Sequence, residues 1–418
     1  MFGLAFVIPF LAPPSTPLMR DFMGLNTHTV QFKTDLYRPV TQLIRNYHPI
    51  DWDLEHDPSR PLTLPKAANG VDWNTLYPVW RDAGFRTSAT VMFETIEETK
   101  WKNIEVDGFR YGAAFGEAFG KNSAVEAIEI GNEPGKFSDA GYRQMFEAMA
   151  KGVRSTAPDM LISTCAVFDE PSGDYHKNIE TVKGLTDLFD VISVHVYAQI
   201  EPWPTFRRSN PENPNVPFLE PVRKVMQWRD RHAPGKQIWV TEFGWDASTK
   251  KADPNGDNPQ WVGNTELEQA QWLVRGYLEL AALGVDRAYI FWFNDEDNPS
   301  IHASSGLTRH YQPKPSYWAV RHLVDTLGDQ RYIRTIPGPN EVRIMEFQAD
   351  SGKTTWVVWV ATEAGEARYV DLPLEGRKVE SMKQMPTTNH PALSVPHRNG
   401  TVMVNGSPLY ITFASNQP

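Results

Sequence analysis

From residue 22 to about residue 327 the chain alternates short apolar runs with stretches whose apolar positions recur every three or four residues. The runs are MGLNTHTV (23–30), LIRNYHP (43–49), RTSATVMFE (86–94), VEAIEIGNE (125–133), LISTCAVF (161–168), FDVISVHVY (189–197), QIWVTEFGW (237–245) and RAYIFWFND (287–295). Near-continuous apolar runs rich in Val and Ile predict strands buried on both faces, as in a parallel sheet. The intervening stretches predict helices. Asp72 is placed to cap one whose apolar positions Leu76, Val79, Trp80 and Ala83 stop at Gly84. Ser138 precedes another, with Tyr142, Met145, Phe146, Met149 and Val153 on one face and Pro158 past its end. Thr265 and Glu268 form a capping box for a third that ends near Gly284. Eight strand–helix units over roughly 300 residues predict a (β/α)8 barrel, with the unit around Asp35 to Gln42 the shortest.

Beyond a helix around Ser316–Leu327 the period changes. EVRIMEF, TTWVVWV, ARYVDLPL, TVMVNG and LYITF alternate and are separated by Gly, Pro and Asn, which predicts an antiparallel β-sandwich. Trp356 and Trp359 lie three apart there and should face opposite sides of a strand, so at least one belongs to the core. The expected division is an N-terminal apolar segment (1–21), a catalytic barrel (22–328) and a β-sandwich (329–418). The opening MFGLAFVIPFLA reads either as the remnant of a signal-peptide core lacking its basic flank or as an apolar segment that packs on the fold. With the first reading goes a secreted or periplasmic location, with the second a cytoplasmic one. No run reaches the ~18–20 apolar residues of a membrane span.

Composition narrows the function. The net charge is −10 and no segment concentrates Lys and Arg, which argues against nucleic acid as a partner. The single cysteine, Cys165, excludes an internal disulfide and any Cys-based zinc site, and no cofactor motif is present. Fourteen tryptophans suit the flat faces of sugar rings as well as large cores. Nothing in the pattern sets an oligomeric state.

Barrel active sites lie at the C-terminal strand ends. Strand four ends in Glu129-Ile130-Gly131-Asn132-Glu133-Pro134 and strand seven in Trp239-Val240-Thr241-Glu242-Phe243-Gly244, each placing a carboxylate where an apolar run stops. Two carboxyl groups flanking a glycosidic bond are what its hydrolysis requires: one protonates the leaving oxygen and the other attacks the anomeric carbon. Either glutamate alone reads more readily as a solvated loop carboxylate; the pair, on strands four and seven of eight, does not.

Asn132-Glu133-Pro134 and Glu242-Phe243-Gly244 resemble the signatures of the clan A retaining glycoside hydrolases. That resemblance covers the barrel in order and spacing. It implies Glu133 as acid/base and Glu242 as nucleophile, Arg45 supporting the nucleophile, and Asn132 contacting the sugar 2-hydroxyl. It also implies His195 and Tyr197 as the strand-six His-x-Tyr, and Trp292 as the sugar platform of strand eight. A cation beside Glu242 would keep it ionised, and Tyr197 is placed to hydrogen-bond it. Asn26 and His28, on alternate positions of strand one, are candidate sugar contacts or polar core. Glu94 is a candidate sugar ligand or ion-pair partner for Arg45. Arg207 and Arg208, in the long Pro-rich segment after strand six, read first as a solvated pair, with recognition of a carboxylate or sulfate as the alternative. The acidic cluster Asn294–Asn298 offers calcium binding as a lesser reading, but it lacks the spacing of an EF-hand loop, so no metal is expected.

A barrel followed by a sandwich is similar to family 39, whose members include β-xylosidases and α-L-iduronidases; families 30 and 51 and the agarases share the general plan. The resemblance implies a retaining glycosidase acting on a plant or algal oligo- or polysaccharide, β-xylosidase-like in the first instance. The alternatives are a glycanase for anionic or sulfated galactans and a carbohydrate-binding pseudoenzyme. An amidohydrolase-type metal barrel is disfavoured because strand one offers Asn26-Thr27-His28 in place of His-x-His.

Overall fold

The computed structural model describes residues 16–30, 33–171, 175–339, 341–374, 376–398 and 400–414. The apolar run 1–12 lies outside them. Residues 18–22 are described and clamp the chain to the junction of its two parts: Leu18 bridges to Arg331, and the Arg20 amide donates to Gly328 O.

Eight parallel strands close a barrel: β1 (Met23–Thr27), β2 (Leu43–Pro49), β3 (Arg86–Met92), β4 (Ala127–Ile130), β5 (Leu161–Phe168), β6 (Val191–His195), β7 (Gln237–Phe243) and β8 (Arg287–Ile290). Each pairs with its sequence neighbours, and β1 pairs with β8 to complete the ring. The register sets Asn26 beside Arg45, and His195 beside Glu242.

The connections are unequal. Between β1 and β2 there is one helical turn, α1 (Thr34–Tyr37). Asp72 caps a 3-10 turn, accepting from the Asn74 amide, and not the longer helix expected there. The true helix, α2 (Tyr77–Asp82), starts with Pro78 in its first turn and leaves Val79 on the solvent side. The outer layer continues with α3 (Ile104–Phe115), α4 (Asp139–Thr156), α5 (Glu220–His232), α6 (Glu266–Leu283) and α7 (Pro315–Leu327). Ser138 caps α4, and Thr265 with Glu268 forms the capping box of α6, which stops at Gly284 with φ of 90°. The fifth connection corrects the count of helices: among the described residues it holds a 3-10 turn (Ile179–Val182) and no α-helix.

The C-terminal part is built from β9 (Gln330–Ile336), β10 (Val342–Ala349), β11 (Thr354–Val360), β12 (Arg368–Asp371), β13 (Val379–Gln384), β14 (Thr401–Val404) and β15 (Leu409–Phe413). Five form one antiparallel sheet in the order β9-β10-β11-β15-β13, and β12 with β14 forms a separate ribbon. Trp356 and Trp359 are both buried, on opposite faces. Trp356 packs with Ile344, Val358 and Ile411 in the sheet's own core, whereas Trp359, Met345 and Phe347 belong to the core continuous with the barrel. At this junction Trp359 Nε1 donates to Glu212 Oε1 (2.7 Å), which also takes Arg275 Nε (2.8 Å) from α6.

Candidate active site

The site is organised around Arg45. It projects from β2 into the barrel and is fully buried, so each of its donors must find a protein acceptor. Its Nε donates to Glu129 Oε2 (2.6 Å), Nη1 to Asn26 Oδ1 (2.8 Å) and Glu242 Oε1 (3.0 Å), and Nη2 to Asn132 Oδ1 (2.8 Å). One rigid cation thereby fixes side chains from strands one, four and seven.

Glu242, at the end of β7, receives two further donors, Tyr47 Oη on Oε1 (2.7 Å) and Tyr197 Oη on Oε2 (2.8 Å). Burial would push its carboxyl up. The charges of His195 and Arg45 and the two tyrosine hydroxyls outweigh that and hold it down at about 2. Burial, with the Glu242 charge beside them, raises both phenols well above their ordinary value, so they stay protonated as donors. The following Gly244 is required by close approach: a Cβ there would lie 2.4 Å from Phe291 O.

Glu133 follows a turn in which Gly131 adopts φ of 87°, a conformation that favours glycine. Glu94 holds this turn, accepting the amides of Asn132 (2.7 Å) and Glu133 (3.0 Å) on Oε1. It is not among the residues that wall the cavity over Glu133 and Glu242, and the carboxylate partner of Arg45 beside Glu242 is Glu129. Burial pushes Glu94 up to about 7 against the backbone N–H groups that favour its ionised form. His195 Nδ1 lies 2.9 Å from Glu133 Oε1 and 3.6 Å from Glu242 Oε2. Those two oxygens, both near one nitrogen, can be no more than about 6.5 Å apart, at the short end of the range for carboxylate pairs that cleave glycosides.

A cavity of about 520 Å³ opens over both glutamates and is walled by Trp292, Phe291, His28, Tyr47, Tyr197 and His302 among others. Arg45 can only donate, so the Asn132 oxygen faces it and the amide NH2 is left for the cavity. Trp292 stands on the wall against Phe291 and His28, at ring separations of 4.9 and 3.7 Å. His28 lies just beyond β1 and gives its Nε2 proton to Asn294 O (2.7 Å), leaving Nδ1 as an acceptor. His195 is buried behind the glutamates and does not line the cavity.

The structure decides three residues that the sequence left open. Asn26 is not available to a sugar: its Nδ2 donates to Thr241 O and Ile290 O, and its Oδ1 takes Arg45, so it holds Arg45 in place. Arg207 ties Glu201 to Glu363 of the C-terminal part. Arg208 is buried against Gly244 O, His302 Nδ1 and the Tyr197 ring. Both arginines are spent on structure and offer no anion site. In the 294–298 cluster, Asp295 and Asp297 are filled by donors from Gly306, Lys314, Ser248 and Thr249.

Sequence reasoning missed Tyr47, Glu129, His176 and His302. Tyr47 follows Arg45 by two, and strand alternation places it on the same inward side, yet an aromatic in an apolar run reads as core. His176 stands 3.6 Å from Glu133 Oε1, and burial together with His195 lowers its imidazole to about 4. Glu133, His176 and His195 are the one set of three ligand-type groups converging among the described residues. Arg45 Nη2 faces His195 Nε2 at 3.4 Å, so the guanidinium charge opposes a metal ion at that nitrogen.

No family model matches the chain, and no curated protein matches it in sequence. Solved structures do match in fold. A family 39 glycoside hydrolase from the gut symbiont Bacteroides cellulosilyticus WH2 superposes with a TM-score of 0.72 at 17% identity, over 95% of this chain and 82% of that one. The family 51 arabinofuranosidase from Xanthomonas axonopodis pv. citri gives 0.64 at 13% identity, over 96% and 98% of the two chains. The catalytic domain of family 30 xylanase C from Talaromyces cellulolyticus gives 0.59 at 14%, over 96% and 98%. The chain thus has the barrel-plus-sandwich fold found in these clan A glycoside hydrolases.

Proposed function

We propose that the protein is a retaining O-glycoside hydrolase. The observation that carries this reading is the pair Glu133 and Glu242 on one cavity, with Glu242 held ionised by Arg45, Tyr47 and Tyr197. Glu242 attacks the anomeric carbon while Glu133 gives its proton to the departing oxygen, leaving a covalent glycosyl-enzyme. Glu133, now a carboxylate, takes a proton from water, which attacks the same carbon and frees Glu242. The Asn132 amide is available to the sugar 2-hydroxyl, and Trp292 to the ring face.

The sugar we favour is a neutral pentoside or hexoside of plant or algal origin, β-xylosidase-like in the first instance. Among the fold neighbours are a xylanase and an arabinofuranosidase. The anionic-galactan alternative loses its support, since Arg207 and Arg208 are committed elsewhere and the cavity wall carries no Lys or Arg among the described residues. Retention of both glutamates speaks against a pseudoenzyme. The test is hydrolysis of a panel of aryl xylosides, arabinofuranosides, glucosides and galactosides by the native protein and Glu242→Gln. Loss of at least about a thousandfold in the variant is expected; undiminished hydrolysis would remove the nucleophile assignment.

A further inference from the structure

We infer that His176 is a positioning residue for Glu133: its Nε2–H becomes a second donor to Glu133 Oε1 as that carboxylate gains charge. The inference rests on the hydrolase reading for its chemistry and on independent geometry for its placement. His176 lies in the extension of β5 just before the two-residue strand Lys177–Asn178, which pairs with Val167 and Phe168. Both of its chain neighbours are tied to the loop that follows Glu133. Tyr175 O accepts the Gly135 amide (3.2 Å), and Lys177 Nζ reaches Phe137 O and Asp139 Oδ1 (3.1 Å). The imidazole leans on Phe168 at a ring separation of 4.3 Å. Loop and imidazole are thereby fixed to each other.

His176 Nε2 is buried and without a hydrogen-bond partner among the described residues. An orphaned buried nitrogen calls for an explanation. Glu133 Oε1 lies 3.6 Å from it, too long for a hydrogen bond and within a small rotation of one. Oε1 already accepts from His195 Nδ1 (2.9 Å) and has a second lone pair for His176. With Oε1 held by two donors, the transferable proton resides on Oε2. The contact tightens when Glu133 loses that proton, so it favours the state reached as the leaving group departs. The other groups facing Glu133 are His195 and Tyr197 from the β6 side, Glu242 from β7, Tyr47 from β2 and His302 from the loop after β8.

A hydrogen-bond donor favours the ionised form of the carboxylate it faces. Removing it with His176→Phe, which keeps the packing on Phe168, should move the basic limb of kcat/KM up by about one pH unit. It should also slow aryl glycosides with poor leaving groups more than those with activated ones, whose departure needs little protonation. His176→Gln, whose amide N–H substitutes for Nε2–H, should restore both. Coincident profiles for native and His176→Phe protein, or failure of His176→Gln to restore, would overturn the inference. Histidine 15N NMR on the native protein tests it without a variant or substrate: His176 should carry its proton on Nε2, and a proton on Nδ1 would refute it. Inactivity of the native protein toward every glycoside would count against the hydrolase reading, while the tautomer measurement still decides the role of His176.

Discussion

Glu242 carries the sharpest consequence at the scale of single residues. Its folded value of about 2 lies below the ordinary 4.5. A carboxylate depressed in this way contributes stability that is fully present above its unfolded value and is lost as pH falls through the folded one. The loss should therefore begin below about pH 4.5 and be complete near pH 2. Tyr47→Phe removes one of the donors holding that charge. The acidic limb of kcat/KM should rise and the rate constant drop by about tenfold, read from a pH–rate profile; an unmoved limb would deny Tyr47 this role. Arg45→Met strands Glu129 and Glu242 in the barrel without their cation, and urea unfolding should show a loss of roughly 3–5 kcal/mol. The two glutamates and Arg45 were legible in the sequence because each closes or interrupts an apolar run. Tyr47, Glu129 and His176 were not, because their significance lies in what register and a distant loop bring beside them. For Asn26 alternation correctly turned it inward but left sugar contact and polar core both open, and only the neighbouring strands show that its amide is already used.

Among the elements, strands and caps were the readable part, since both are written in local spacing. The fifth connection was not: the segment before β6 has apolar residues but no helical stripe, and Gly184 at φ of 80° breaks it. Strands β9 and β13 escaped notice because several of their residues are exposed and the alternation is weak. The packing of α3 on α4 depends on two glycines in a way no single helix discloses. A Cβ on Gly112 would sit 2.1 Å from Met149 O, and one on Gly152 2.2 Å from Phe109 O. Because both contacts are to backbone, Gly112→Ala must push the helices apart. It should lower stability by about 1–3 kcal/mol in thermal or urea unfolding. The specific activity of the folded fraction should change little, as α3 and α4 lie outside the cavity wall.

For the whole molecule, barrel and sheet share one core, and Trp359 of the sheet closes over a buried ion pair of the barrel, Arg275 with Glu212. This predicts a single cooperative unfolding transition for both parts. Trp359→Ala, which opens a cavity and removes a donor from Glu212, should cost about 3–5 kcal/mol. Two well-separated transitions in calorimetry would show the shared core to be weaker than its geometry implies. The same closed barrel sets Glu133 and Glu242 face to face across the cavity, and the central claim is that they cleave a glycoside with net retention. Proton NMR of the sugar released in the first seconds of reaction, before mutarotation, tests this most directly. Double displacement predicts that the first-formed product has the same anomeric configuration as the substrate; an inverted first product would contradict it.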